Sequence, residues 1–257
     1  MTKFEEMVLR TLAIVLVPVV AGLSLYVNTL WQDYSDSDVW ENGYIPPKYL
    51  YSLIEDTNDA TVTVECQNSI ASGFGFVFDE THEAQFTFDW PNWEKTSIVL
   101  TNYHVIEACY QEEVQVYVRD RDSDRIKARI MRVDIDNDVA ALWIPKMIPE
   151  LKPAGYYFYR PGYWVMAAGS PYGMQGTTTF GNIIYSEGNR IYTSASLNKG
   201  NSGGPLVDNT GLVMAINTGY RAVAQNLNFA IDINVLCEKL ASCYGESKLI
   251  HPNVDEE

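Results

Sequence analysis

The sequence predicts an all-β protein with two antiparallel halves of six strands each, arranged as two barrels or as a sandwich. Three observations predict it. Short alternating or β-branched runs recur between turn signals from residue 61 to residue 231. A proline-bearing connector, Lys146 to Pro153, divides these runs into six before it and six after it. Helical spacing is confined to short stretches near Leu50, after His104 and at Ile233–Tyr244. With 257 residues, 47% of them hydrophobic, the chain can fill one large core or two small ones.

Taken in order, Lys3 and Arg10 precede an uncharged run from Leu12 to Val27, which extends to Trp31 and about matches the span of a hydrocarbon core. Residues 1–31 are therefore expected to form a signal anchor with a transmembrane helix. A cleaved signal peptide is the alternative, with only Gly22-Leu23-Ser24 as a cleavage site, and would give a secreted protein. Arg10 on one flank, against Asp33, Asp36, Asp38 and Glu41 on the other, places the rest of the chain outside the cytoplasm, in a periplasm or at the cell exterior. Residues 32–47 are acidic, contain Pro46-Pro47 and read as a stem; Leu50, Leu53 and Ile54 mark a short amphipathic helix.

The expected strands are 61–66, 72–78, 98–102, 114–119, 127–134 and 139–144 in the first half (about 57–145). In the second half (about 156–232) they are 163–168, 177–185, 190–194, 205–208, 212–217 and 226–231. A C-terminal helix over 233–244 completes a folded region of 48–245, followed by a tail over 246–257. Between the second and third strands, Asp79 to Ser97 forms a long loop carrying Phe86, Phe88, Trp90 and Trp93. It is expected either to cover its own barrel or to meet a subunit, membrane or substrate.

Thirty-three acidic residues against eighteen basic ones give a net charge of -15, which disfavours phosphate backbones and therefore nucleic acid. The four cysteines contain no Cys-x-x-Cys pair and lie near no histidine at ligand spacing, so no metal is expected. Cys109 falls on the helical turn after His104, where a bridge to Cys66 would staple that turn to the first strand if the compartment is oxidising. Cys237 and Cys243 would lie too far apart to pair within one continuous helix and could pair only if the helix ends between them.

Three residues carry chemistry. His104 follows the apolar strand Ile98-Val99-Leu100, and a strand end is a rigid mount for a general base. Asp138 immediately precedes Val139-Ala140-Ala141-Leu142; a partly buried carboxylate there needs a donor, which an imidazole supplies while fixing its own tautomer. Asp134 and Asp136 compete for the role but are expected to face water. Ser202 lies in Gly200-Asn201-Ser202-Gly203-Gly204-Pro205, where glycines let backbone N–H groups converge on one point. The N–H groups of the stretch Gly200, Asn201 and Ser202, chiefly the first and last, are the expected oxyanion donors.

These stretches resemble a trypsin-fold serine peptidase of the HtrA/Deg type. The likeness rests on Thr101-Asn102-Tyr103-His104-Val105, Asp138-Val139-Ala140-Ala141-Leu142 and Asn198-Lys199-Gly200-Asn201-Ser202-Gly203-Gly204-Pro205-Leu206. Ala168-Gly169-Ser170-Pro171-Tyr172-Gly173, Ala215-Ile216-Asn217-Thr218 and Asn228-Phe229-Ala230-Ile231 support it, and it covers about residues 50–240. The resemblance implies two six-stranded antiparallel barrels of the chymotrypsin/trypsin kind with the site between them, and hydrolysis of a polypeptide through Ser202, His104 and Asp138 with no cofactor. It also implies a specificity pocket walled by Ser196, Leu197, Asn217, Thr218 and Asn228. With no charge among these five, a small or medium aliphatic side chain is the expected guest. The strand Ile216 to Gly219 would pair with extended substrate.

Two departures from the family pattern stand out. Only about twenty-five residues follow Asp232, too few for the family's usual PDZ domain, and Asn228 stands where a pocket glycine is common. Oligomerisation is left open, since an anchor and stem replace the family's N-terminal segment. The rival reading is a catalytically silent protease fold that binds chains without cleaving them.

Overall fold

The computed structural model describes residues 43–77, 95–122, 124–154, 160–220 and 227–239. The expected anchor (1–31), most of the stem, the aromatic stretch of the 79–97 loop and the tail lie outside these residues. Among the described residues, no helix is long and apolar enough to cross a membrane.

The first six strands are β1 (Thr61–Cys66), β2 (Ser69–Gly75), β3 (Ser97–Thr101), β4 (Val116–Arg119), β5 (Arg125–Asp134) and β6 (Val139–Ile144). They close into an antiparallel barrel in the order β1-β2-β3-β6-β5-β4. The next six are β7 (Trp164–Gly169), β8 (Thr177–Glu187), β9 (Arg190–Thr193), β10 (Pro205–Val207), β11 (Val213–Tyr220) and β12 (Asn228–Asp232). They close a second barrel in the order β10-β11-β12-β9-β8-β7. Among the described residues three α-helices accompany them: α1 (Leu50–Ala60), α2 (Tyr103–Gln111) and α3 (Ile233–Lys239).

β2 starts earlier than its apolar residues suggest. Gln67, at φ 51°, and Asn68 make a two-residue turn, so β1 and β2 stay in register from Cys66↔Ser69 to Thr61↔Phe74. Gly188 (φ 58°) and Asn189 do the same between β8 and β9, where Glu187 pairs with Arg190.

Alternation along the strands sorts the side chains into three cores. Val62, Val64, Val99, Leu142 and Ile144 fill the first barrel together with Val105 and Ile106 of α2. Val165, Ala167, Ile183, Ile191, Leu206 and Met214 fill the second. The opposite faces of the same strands meet between the barrels: Phe74, Leu100, Val139 and Ala141 from one side pack with Trp164, Met166, Val207 and Ile216 from the other. A strand buried on both faces reads as an unbroken apolar run, which explains Val139-Ala140-Ala141-Leu142 and the wholly buried β7. The end of the connector is bound to both barrels: Leu151 N–H donates to the Gly75 carbonyl (2.8 Å) and Ala154 N–H, just beyond it, to that of Val213 (2.7 Å).

Candidate active site

The imidazole of His104 sits on the first turn of α2, and the neighbouring carboxylate explains why the helix starts there. Asn102 occupies the N-cap position, where an asparagine ordinarily bonds the helix's own free N–H groups; its side chain makes no such bond here. Asp138 does it instead, its Oδ1 accepting the backbone N–H of His104 at 2.8 Å. Its Oδ2 lies 2.7 Å from His104 Nδ1. One carboxylate therefore satisfies an orphan amide, faces the positive end of the helix and accepts a hydrogen bond from the ring at Nδ1. A carboxylate can only accept, so Nδ1 is the donor in this contact and, in the neutral ring, Nε2 is left as an acceptor. Asp138 reaches this position from a left-handed backbone conformation (φ 57°), which aspartate tolerates better than most residues and which recurs at functional sites.

Asn102, fully buried, turns inward. Its Nδ2 donates to the Asp138 carbonyl (2.9 Å) and to Thr218 Oγ1 (3.1 Å), linking the acid of the first barrel to β11 of the second. Asp134 is occupied locally by the N–H and the side-chain amide of Asn137.

Ser202 lies on the loop between β9 and β10. Its hydroxyl donates to the Thr218 carbonyl at 2.9 Å rather than to His104. The glycines after it are sterically required. A Cβ on Gly203, whose φ is +86°, would come 2.1 Å from the Ser72 carbonyl oxygen and 2.2 Å from Thr101 Oγ1; one on Gly204 would come 2.3 Å from the Ala168 carbonyl oxygen. The loop is pressed against both barrels at once. Among the described residues, the N–H groups of Gly200 and Ser202 have no hydrogen-bond acceptor, whereas Asn201 N–H is used by the Asn198 carbonyl (2.9 Å).

Beside Ser202 opens a cleft of about 280 Å³ lined by Leu197, Asn198, Lys199, Thr218, Gly219 and Phe229. Of the five expected wall residues, Leu197 and Thr218 line it. The side-chain amide of Asn217 is instead spent on the carbonyls of Ala168 and Pro205, and that of Asn228 on the carbonyl of Ala195. Ser196 is exposed and lies outside the lining. The sequence reading missed Phe229, which is cross-strand from Gly219; a Cβ there would come 3.1 Å from the Phe229 ring, so the glycine makes room for it. Register across β11 and β12, shifted between Asn217 and Gly219, decides which of Asn228 and Phe229 faces the cleft, and no local signal encodes it.

Cys66 and Cys109 form a disulfide (Cα–Cα 5.8 Å) that ties α2 to β1, and Cys237 is disulfide-bonded as well.

The family described as "Trypsin-like peptidase domain" matches residues 72–216, more than half of the chain. HhoB of Synechocystis sp. is 33% identical over 168 residues, 60% of this chain and 39% of that protein. Serine protease HTRA3 of Rattus norvegicus is 32% identical over 214 residues, 72% of this chain and 43% of that protein. The chain thus spans about two-fifths of the length of these curated relatives. Among solved structures, a serine endoprotease from Yersinia pestis superimposes with a TM-score of 0.62 at 27% identity, covering 76% of this chain and 66% of that one.

Proposed function

Because the chain belongs to the trypsin-like peptidase family, we propose that it is a serine endopeptidase acting through Ser202, His104 and Asp138. The observation that carries the reading is the double engagement of Asp138 with His104, at 2.8 Å through the backbone and 2.7 Å through the ring. That pair fixes both the position and the tautomer a general base requires.

In the proposed reaction the Ser202 hydroxyl rotates from the Thr218 carbonyl toward His104 Nε2. Its oxygen attacks a peptide carbonyl as Nε2 takes the proton. The imidazolium so formed is stabilised by Asp138 and then protonates the leaving amine. The developing oxyanion is held by the two unused N–H groups, Gly200 and Ser202. Water activated by the same imidazole then hydrolyses the acyl-enzyme. The Thr218 carbonyl, vacated by the hydroxyl, is free to accept an N–H of a substrate lying along β11.

The cleft beside Ser202 sets the preference. Leu197 and Phe229 give it an apolar wall and none of its described lining residues is acidic, so a small or medium aliphatic side chain fits better than lysine or arginine. Polypeptide segments that are unfolded or exposed are the proposed substrates, since the chain must lie extended against β11. The uncharged run from Leu12 to Val27 supports tethering to a membrane with the protease domain outside the cytoplasm, which fractionation of a tagged chain tests.

An activity-based fluorophosphonate is expected to label Ser202, and casein to be degraded. Ser202→Ala should lose labelling and lower kcat on the order of 10⁴- to 10⁶-fold while peptide still binds. Casein breakdown by the Ser202→Ala protein, or a wild-type chain that binds peptide but takes no label, would count against this function.

A further inference from the structure

We propose that Ser72, on β2 of the first barrel, is the positioning residue of the nucleophile loop in the second, holding the loop open for the oxyanion; this rests on the peptidase reading above. Ser72 is fully buried, and all its polar groups are engaged. Its Oγ donates to the Gly200 carbonyl at 2.6 Å and accepts the Ser170 N–H at 2.8 Å. Its N–H donates to the Ser202 carbonyl at 2.8 Å, and its carbonyl accepts the Thr101 hydroxyl at 2.7 Å. A hydroxyl has one proton, and with Ser170 N–H filling a lone pair that proton is directed at Gly200.

Three consecutive peptide groups are pinned as a result. The Gly200–Asn201 group is held at its oxygen by Ser72 Oγ and at its N–H by the Asn198 carbonyl. Asn201–Ser202 is held at its oxygen by Gly204 N–H (3.0 Å). Ser202–Gly203 is held at its oxygen by Ser72 N–H and at its N–H by the Asn217 carbonyl (2.7 Å). Around the nucleophile, the N–H groups without an acceptor among the described residues are those of Gly200 and Ser202. Gly200 has a φ of +103°, so nothing intrinsic to its backbone holds it there, and the side chain that fixes its carbonyl comes from the other barrel. Ser72 touches no reacting atom; it acts through the donors it leaves free.

The test compares wild type, Ser72→Ala and the near-isosteric Ser72→Cys in the full chain. The readouts are hydrolysis of a valine p-nitroanilide peptide, inhibition by the matching peptide boronic acid, fluorophosphonate labelling and amide exchange over residues 198–203. For Ser72→Ala, kcat is expected to fall about 10- to 100-fold with KM within about twofold. The boronic acid, whose adduct places an anionic oxygen in the same hole, should weaken by the same factor, while the product peptide binds as before. Exchange in the loop should rise at least about tenfold with the barrel strands unchanged, and Ser72→Cys should fall between the two. Wild-type kcat in folded Ser72→Ala, activity lost only in proportion to the unfolded fraction, or unchanged loop exchange would each overturn the proposal. A wild-type chain that takes no fluorophosphonate removes the peptidase reading by itself; loop exchange then still decides whether Ser72 holds the loop, and unchanged exchange rejects it.

Discussion

The first barrel carries an imidazole and a carboxylate on elements braced chiefly within that barrel; the second carries a hydroxyl on a loop braced partly by its own β11 and partly by Ser72 of the first. In the first, α2 is bonded to β1 by Cys66–Cys109. Glu65 on β1 also takes hydrogen bonds from Arg119 (2.7 Å) and Arg125 (2.8 Å). In the second, the Ser202 loop is bonded within its own barrel, Gly203 N–H donating to the Asn217 carbonyl (2.7 Å) and the Ser202 hydroxyl to that of Thr218 (2.9 Å), and from the other barrel as well. Across the seam Ser72 donates to the carbonyls of Gly200 and Ser202, its own carbonyl being fixed by the Thr101 hydroxyl, and the amide of Asn217 holds the Pro205 carbonyl from beneath. The contrast teaches that the His104–Asp138 pair can be stabilised largely within one barrel, whereas the shape of the Ser202 loop also depends on contact with the other.

The largest expected break in this contrast is Gly203→Ala. The added methyl would meet backbone oxygen at 2.1 Å in a conformation that side chains avoid, so the seam must open. A loss of about 4 kcal/mol or more is expected, with activity abolished even in the folded fraction. Chemical denaturation of the purified variant measures it, and an unchanged midpoint would show that the loop is not pressed against Ser72.

Removing the staple is next. A bridge closing 43 residues contributes roughly 4 kcal/mol by chain entropy, so Cys66→Ala with Cys109→Ala should cost about 2–4 kcal/mol. Hydrogen exchange should then quicken in β1 and α2 while β10–β12 keep their protection. Equal loosening of both barrels would erase the distinction between local and imported bracing.

The smallest effect concerns two carboxylates of opposite sense. Burial alone would raise Glu65, but hydrogen bonds and charge from Arg119 and Arg125 outweigh it and hold the acid below its ordinary 4.5. Its stabilising contribution is therefore complete above that value and is lost as pH falls through the lowered one. Asp208, between β10 and β11, is raised above its ordinary 3.8 because burial outweighs the bonds from Thr210, Leu212 and Gly211. Its contribution is complete below 3.8 and is lost as pH rises through the raised value. The Glu65→Gln defect, about 1 kcal/mol or less for so exposed a network, should vanish on acidification, and the Asp208→Asn difference should grow with it. Urea titrations at several pH values read both slopes.

Much of the fold was legible because strands buried on two faces write themselves as apolar runs and tight turns as Gly or Asn. The limits of β2, β11 and β12 were not, since pairing across a turn carries a strand past its apolar residues. Of the site, His104, Asp138 and Ser202 stood out as reactive types in constrained settings. Asn102 and Ser72 did not: a buried asparagine or serine has no distinctive neighbours in sequence, and its partners here are 116 and 128 residues away. The glycines of Gly73-Phe74-Gly75 do signal close approach; a Cβ on Gly75 would lie 2.3 Å from the Pro149 carbonyl oxygen. They do not say of what.

By itself the sequence determined the strand inventory and the division into two halves, and it singled out His104, Asp138 and Ser202, because periodicity, turn chemistry and residue type are local properties. Only the tertiary structure decided that Asp138 caps the helix of His104, that Phe229 rather than Asn228 faces the cleft, and that Ser72 reaches across the seam to Gly200. Each of these depends on the register and contact of strands distant along the chain, where a shift of one residue exchanges the two faces of a strand.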